Sequence, residues 1–238
     1  MAQTIFHPAA SRGKADLGWL KSNHTFSFGN YYNPERMGFG ALRVLNDDTV
    51  EGGEGFGEHP HDNMEIISIP LKGGLKHHDS MENVAVIIDG DIQVMSAGTG
   101  IFHEEHNEDE QADVQFLQIW VYPNQLNVEP RYDQLTLNKN DRHNKLQQIL
   151  SPDPNDAGVW IYQNAWFNLG NFDKGLTVDY PLKAKGNGVY VFVIDGSVEI
   201  NGQVLNTRDG FGIWDTDNFA INILADAELL LMEVPMTY

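Results

Sequence analysis

Gly57-Glu58-His59-Pro60-His61-Asp62-Asn63-Met64-Glu65 sets two imidazoles one residue apart. On a β-strand alternate side chains leave from the same face, so His59 and His61 at this spacing can grip one ion inside a barrel. Farther along, His103-Glu104-Glu105 repeats the geometry with a third imidazole and a carboxylate. The two stretches nominate His59, His61, His103 and Glu105 as metal ligands. Imidazoles with one carboxylate and no thiolate suit Fe, Mn, Ni, Cu or Zn better than Ca or Mg. A lone His-x-His on a surface strand ordinarily means nothing, since histidine is of intermediate burial; the surroundings give this pair its weight.

Glycines punctuate those surroundings. Gly52-Gly53 and Gly55 precede the pair, and Gly73-Gly74 reads as a hairpin turn after the apolar run Ile66 to Leu71. Gly90-Asp91 opens an alternating strand, Ile92-Gln93-Val94-Met95, and Ala97-Gly98-Thr99-Gly100 leads into His103 and on to Asn107. Further short runs, Ala41 to Leu45, Val84 to Ile88 and Val114 to Tyr122, are each bounded by Gly, Asn, Asp or Pro, the pattern of a barrel or sandwich. Alternation weakens through the polar stretch Asn138 to Asn144. The expected organisation is therefore a first barrel over residues 1–137, a connection over 138–145 and a second barrel over 146–238. In the second block, Val189 to Ile194, a hairpin at Asp195-Gly196, Val198 to Ile200, a turn at Asn201-Gly202 and Phe211 to Trp214 follow in order.

Pairing Gly73 with Gly196 and Gly90 with Gly210 brings the two blocks into one register. The counterpart of His59 and His61 then falls near Leu182 to Ala184, and that of His103 near Ile221 to Leu224. Neither stretch holds a ligand set. The second barrel is expected to carry no metal.

Composition narrows the partners. Lys plus Arg number 15 against 34 Asp plus Glu, a formal net charge of −19, which repels nucleic-acid phosphate. There is no cysteine, so disulfides, thiolate metal sites and cysteine nucleophiles are excluded. Residues Met1 to Leu20 contain no apolar core of secretory length, and no run approaches the roughly 18 apolar residues of a membrane span. A cytoplasmic monomer without membrane contact is expected.

Glycine, His-x-His, Glu and glycine, followed by glycine, glycine, His and Asn, is similar to the two-motif pattern of the cupin superfamily. The flanks resemble one family within it, the pirins. The resemblance rests on Gly18-Trp19-Leu20, His24-Thr25-Phe26-Ser27-Phe28, Tyr31-Tyr32, Met37-Gly38-Phe39, Leu42-Arg43-Val44, Asn46-Asp47-Asp48, Gly55-Phe56-Gly57, His59-Pro60-His61, Met64-Glu65-Ile66, His78-Asp79-Ser80 and Ser96-Ala97-Gly98-Thr99-Gly100-Ile101. It spans the amino-terminal half; the carboxy-terminal half resembles the shorter bacterial members on fewer diagnostic residues.

The resemblance implies an all-β bicupin, two jelly-roll-like β-barrels in one chain, with a single metal in the first barrel on His59, His61, His103 and Glu105. Fe(II) is the expected ion, with Mn, Ni, Cu and Zn as alternatives. Glu65 is a rival ligand by analogy with many cupins, but the pirin resemblance gives the role to Glu105. The implied activity is that of a quercetin 2,3-dioxygenase, in which a flavonol and dioxygen meet at the metal, Glu105 acts as ligand and catalytic base, and carbon monoxide is released. Phe56, Met64, Met95 and Phe102 are candidate contacts for a planar ring, each equally well read as barrel core. Of His77 and His78, one is expected to face the cavity and one solvent, with His78 a candidate for a role near the site. His106, opposite in parity to Glu105, is expected to point away. The alternative function is a metal-containing regulatory protein, a transcription cofactor or modulator of a metabolic enzyme, with a protein partner.

Overall fold

The computed structural model describes residues 2–238, and among them the only helical segments are the single turns Ala9–Ser11 and Lys139–Arg142. Everything else regular is strand. In the first domain a seven-stranded sheet runs Arg131–Thr136, Asp91–Ser96, Glu65–Lys72, Val114–Val121, Leu42–Val50, Leu20–His24 and Gly13–Asp16 from edge to edge. Opposite it lies a four-stranded sheet ordered Gly55–His61, Ile101–Asn107, Gly74–Asp79 and Val84–Ile88. Leu20, Val50, Val114 and Phe116 of the first pack against Leu75 and Ile87 of the second, forming a double-sheet jelly roll with open edges.

Strand parity divides Val114–Val121 between two cores. Phe116 and Trp120 turn toward the four-stranded sheet, whereas Leu117, Ile119 and Val121 turn outward. The outward set meets Phe167, Leu169, Tyr190, Phe192, Leu230 and Met232 of the second domain in one continuous cluster. A sheet covered on both faces needs near-continuous apolarity, which is why this strand reads as an unbroken run rather than a simple alternation.

The second domain repeats the topology with longer strands. Asn187–Ile200, 14 residues, takes the places of Glu65–Lys72 and Gly74–Asp79, and Asn218–Pro235, 18 residues, those of Ile101–Asn107 and Val114–Val121. Two expected hairpins are thereby corrected. Gly73-Gly74 is a corner: the strand before it pairs with Val114–Val121 and Asp91–Ser96, and the strand after it with Ile101–Asn107 and Val84–Ile88. Asp195-Gly196 lies inside a continuous strand whose register with Asn218–Pro235 shifts repeatedly between Val193 and Val198. Gly196 has φ +92° there, and a Cβ would come within 2.1 Å of the Asp226 carbonyl oxygen. Glycine at these positions admits a close backbone crossing at a bend, and no chain reversal follows. Asn201-Gly202 does form the hairpin, with Ile200 opposite Gln203 and φ of +51° and +78° as a type I′ turn requires.

The strand equivalent to Gly55–His61 is Thr177–Pro181, just before the Leu182 to Ala184 stretch. Its Val178 and Tyr180 join Ile221 and Ile223 in an apolar core cluster. On that packing a metal-free second domain remains our proposal, as does the division at 138–145. One strand departs from that division: Gln3–His7 pairs with Gly210–Trp214 and so belongs to the sheet of the second domain. Its five residues are too few to build a sheet and adopt the free edge they meet.

Because the largest core cluster draws on both domains, Leu230→Ala, at a fully buried position within it, should cost about 2–5 kcal/mol. Calorimetry should show one unfolding transition for wild type and variant alike. Two separated transitions would contradict a shared core.

Candidate metal centre

His59, His61 and His103 converge. Ring centroids are 4.4 Å apart for His59 and His103, and 4.9 Å for both His59 with His61 and His61 with His103. Antiparallel pairing produces this: Ile101 stands opposite His61 and His103 opposite His59, after which the register shifts so that Glu105 faces Phe56. The extra residue of the bulge lies at Gly57-Glu58. The Gly57 carbonyl accepts a hydrogen bond from His59 Nδ1 at 2.8 Å, which leaves Nε2 with the lone pair.

His103 is 2% exposed, and neither of its ring nitrogens has a hydrogen-bond partner. Buried polar atoms are rarely left so, and a cation among the three imidazoles would supply the missing partner. Burial, then the neighbouring His59, His61 and His77, push the His103 pKa down to about 2. Burial and His59 push that of His61 down to about 4. Both rings are neutral near pH 7, the state in which imidazole binds a metal.

Glu105 lies on the same inward face of Ile101–Asn107, two residues beyond His103. Gln118 Nε2 donates to one carboxylate oxygen at 2.8 Å and Ser68 Oγ approaches the other at 3.3 Å. Burial above all, reinforced by the nearby Asp48 and opposed by the Ser68 and Gln118 hydrogen bonds, raises its pKa to about 7. A carboxylate oxygen of Glu105 lies within 4.8 Å of ring nitrogens of His103 and His77, while His59, His61 and His103 form a second group at that spacing. Glu65 belongs to neither group. It accepts from Ser96 Oγ at 2.7 Å on the side of Arg131.

The histidine pair resolves by parity. His77 is fully buried beside His103, 5.4 Å between centroids, whereas His78 is on the outer face, bonded to Glu104 at 3.1 Å. His106 also points outward, 3.6 Å from Glu104. His77 is thus the residue near the cavity that the spacing left undecided; buried Leu75, two positions earlier, marks its face. Ser68 and Gln118 gave no signal as neutral residues in apolar runs.

An apolar wall adjoins the imidazoles. Ile66, Met95, Ala97 and Ile101 form a cluster lined by Met64, Met81 and Trp120, and Trp120 meets His61 edge-on at 5.0 Å. Met64 and Met95 are in that wall. Phe102 is not: 50% exposed, it leaves the outer face because its parity is opposite to that of His103. Phe56 packs against Trp19 in a different cluster.

Comparison with known proteins bears on the whole chain. Residues 6–121 match the family model described as Pirin, and residues 148–234 that described as Quercetinase C-terminal cupin domain. The chain is 41% identical over 227 residues to a protein named quercetin 2,3-dioxygenase in Escherichia coli (strain K12), covering 95% of this chain and 96% of that protein. It is 40% identical over 227 residues to a pirin-like protein of Caulobacter vibrioides, covering 95% and 97%. The crystal structure of the bacterial pirin YhhW from Escherichia coli in complex with nickel(II) superimposes with a TM-score of 0.93 at 39% identity, covering 98% of this chain and 99% of that one.

Glu105 carries a folded pKa above its ordinary value of 4.5, so the stability it lends is complete below that value and is lost as pH climbs through about 7. Glu105→Gln is neutral throughout. In the metal-free protein the melting temperature of wild type should therefore drop relative to the variant between pH 4.5 and about 8, with the two converging at low pH. Parallel curves would show that Glu105 ionises freely.

Proposed function

This chain belongs to the pirin family, and from that membership we propose that it is a metal-dependent dioxygenase that opens quercetin, or a related flavonol or enol, with dioxygen. The carrying observation is the convergence of three imidazoles on one point, with His103 lacking any other partner and Glu105 buried beside it. His59, His61, His103 and Glu105 are the proposed ligands of one divalent ion. Fe(II) is our first choice, and Mn, Ni, Cu and Zn fit the same donors.

When bound, such an ion supplies Lewis acidity toward the flavonol 3-hydroxyl and a route for electrons to dioxygen. The chain provides the rest. His59 is held in one tautomer by the Gly57 carbonyl, so its donor atom needs no reorientation. The wall of Met64, Met95, Ile101 and Trp120 offers a flat substrate an apolar surface and keeps water from the reacting carbons. Glu105 receives the hydroxyl proton at a carboxylate oxygen. Gln118 and Ser68 hold that carboxylate in position by hydrogen bonds to its two oxygens. Ring opening between the second and third carbons follows the activity for which the Escherichia coli relative is named, and loss of carbon monoxide is part of the same proposal.

Substrate and dioxygen are the partners this reading requires. A net charge of −19 argues against nucleic acid, and among the described residues no helix is long and apolar enough to cross a membrane. A cytoplasmic monomer is our reading.

The test is aerobic quercetin consumption by protein loaded in turn with Fe(II), Mn(II), Ni(II) and Cu(II), with oxygen uptake and carbon monoxide measured together. Wild type should turn over with at least one ion, and Glu105→Gln should be slower by roughly 100-fold, the usual contribution of a general base. His59→Ala/His61→Ala should hold less metal than wild type. If quercetin survives every metal, the regulatory-protein reading replaces this one.

A further inference from the structure

We propose that the cavity offers a metal ion two stations that share His103 and Glu105: an outer one, the set His59, His61, His103 and Glu105 proposed above, and an inner one in which His77 joins the same His103 and Glu105. His77 is thereby a metal ligand in its own right. The inference rests on the reading that this cavity binds a divalent metal at all.

Geometry carries it. The ligand atoms of His77, His103 and Glu105 lie within 4.8 Å of one another, as do those of His59, His61 and His103, and every member of the inner group is buried. His77 also shows the hallmark of an imidazole prepared for a metal. Its Nε2–H donates to Asp79 Oδ2 at 3.0 Å, and Asp79 is itself pinned by the amides of Met81 and Asn83 and by Asn83 Nδ2. A carboxylate anchored in this way fixes the tautomer and directs the lone pair of Nδ1 away from itself. The Tyr132 ring, 4.8 Å from the imidazole and inclined by 32°, holds its plane.

Nδ1 meets only Gln93 Nε2, at 3.0 Å, and the Oε1 of that amide is buried without a partner. A half-satisfied amide is a weak competitor for a lone pair that an ion can take. His103, unpartnered at both nitrogens, serves either station. Sharing it and Glu105 makes the stations mutually exclusive, so stoichiometry stays at one ion per chain while His77 takes the place of His59 and His61. The competing account is that His77 is a hydrogen-bonded core histidine with no metal role.

Calorimetric titration of metal-stripped protein with Ni(II), backed by Co(II) absorption spectra, separates the two. Wild type should take one ion. His59→Ala/His61→Ala should still take one ion, more weakly by about 100-fold, and adding His77→Gln should abolish that residual binding. Gln93→Ala in the same double variant should tighten it by about 10-fold, because Nδ1 is released; a purely structural His77 gives no such gain. Circular dichroism checks each fold, and if the triple variant is unfolded the Gln93→Ala arm decides. No binding by the folded double variant, or residual binding indifferent to both His77→Gln and Gln93→Ala, overturns the inner station while leaving the outer site standing. Wild type that binds no ion overturns the metal reading together with this one.

Discussion

The pairing of Ile101–Asn107 against Gly55–His61, with His103 opposite His59, is the constraint on which the site hangs. A slip of one residue would turn His103 and Glu105 outward and bring Phe102 and Glu104 in. The bulge at Gly57-Glu58 completes the arrangement, because it frees a carbonyl to hold His59 while letting the ladder resume at Glu105. A buried His103 ring with neither nitrogen partnered is a standing cost. The surrounding core must outweigh it whenever the ion is absent.

That core is supplied from behind. The sheet carrying Ser68, Gln118 and Trp120 on its inner face buries Leu117, Ile119 and Val121 against the second domain. The partner domain, whose own interior is filled by Val178, Ile221 and Ile223, therefore acts as the rigid backing of the first. An ion pair crosses the same boundary: Asp47 of the first domain, held by Arg12 at 3.2 Å, meets Arg208 of the second at 3.4 Å. Precision at the imidazoles depends on this backing, since a site built on a sheet is only as rigid as what supports the other face.

Much of this was legible in the sequence where a period of two applies. His59 and His61, or His103 and Glu105, announce a shared face without knowledge of any partner strand, and the same parity already places Phe102 on the opposite side. Glycines were less readable. Positive φ at Gly73 and Gly196 serves a turn or a sheet-switching bend equally well, and only the identity of the paired strands distinguishes them. His77 and His78 were undecided because their faces follow from Leu75, whose burial is a tertiary fact. Gln118 and Ser68 became visible only once Glu105 needed donors. The pairing of Gln3–His7 with Gly210–Trp214 left no trace at all, since five residues of mixed character carry no information about a partner so distant in the chain.

That distant pairing governs how the molecule comes into being. Gln3–His7 is synthesised about two hundred residues before the strand it completes. Its docking is a closure of very long range in sequence, the kind of contact whose loop entropy slows folding. Until then the Gly-Phe-Gly-Ile-Trp stretch at 210–214 presents an open edge able to recruit a neighbouring nascent chain. Once docked, Gln3–His7 occupies that edge, so the same five residues that close the fold also guard it against self-association.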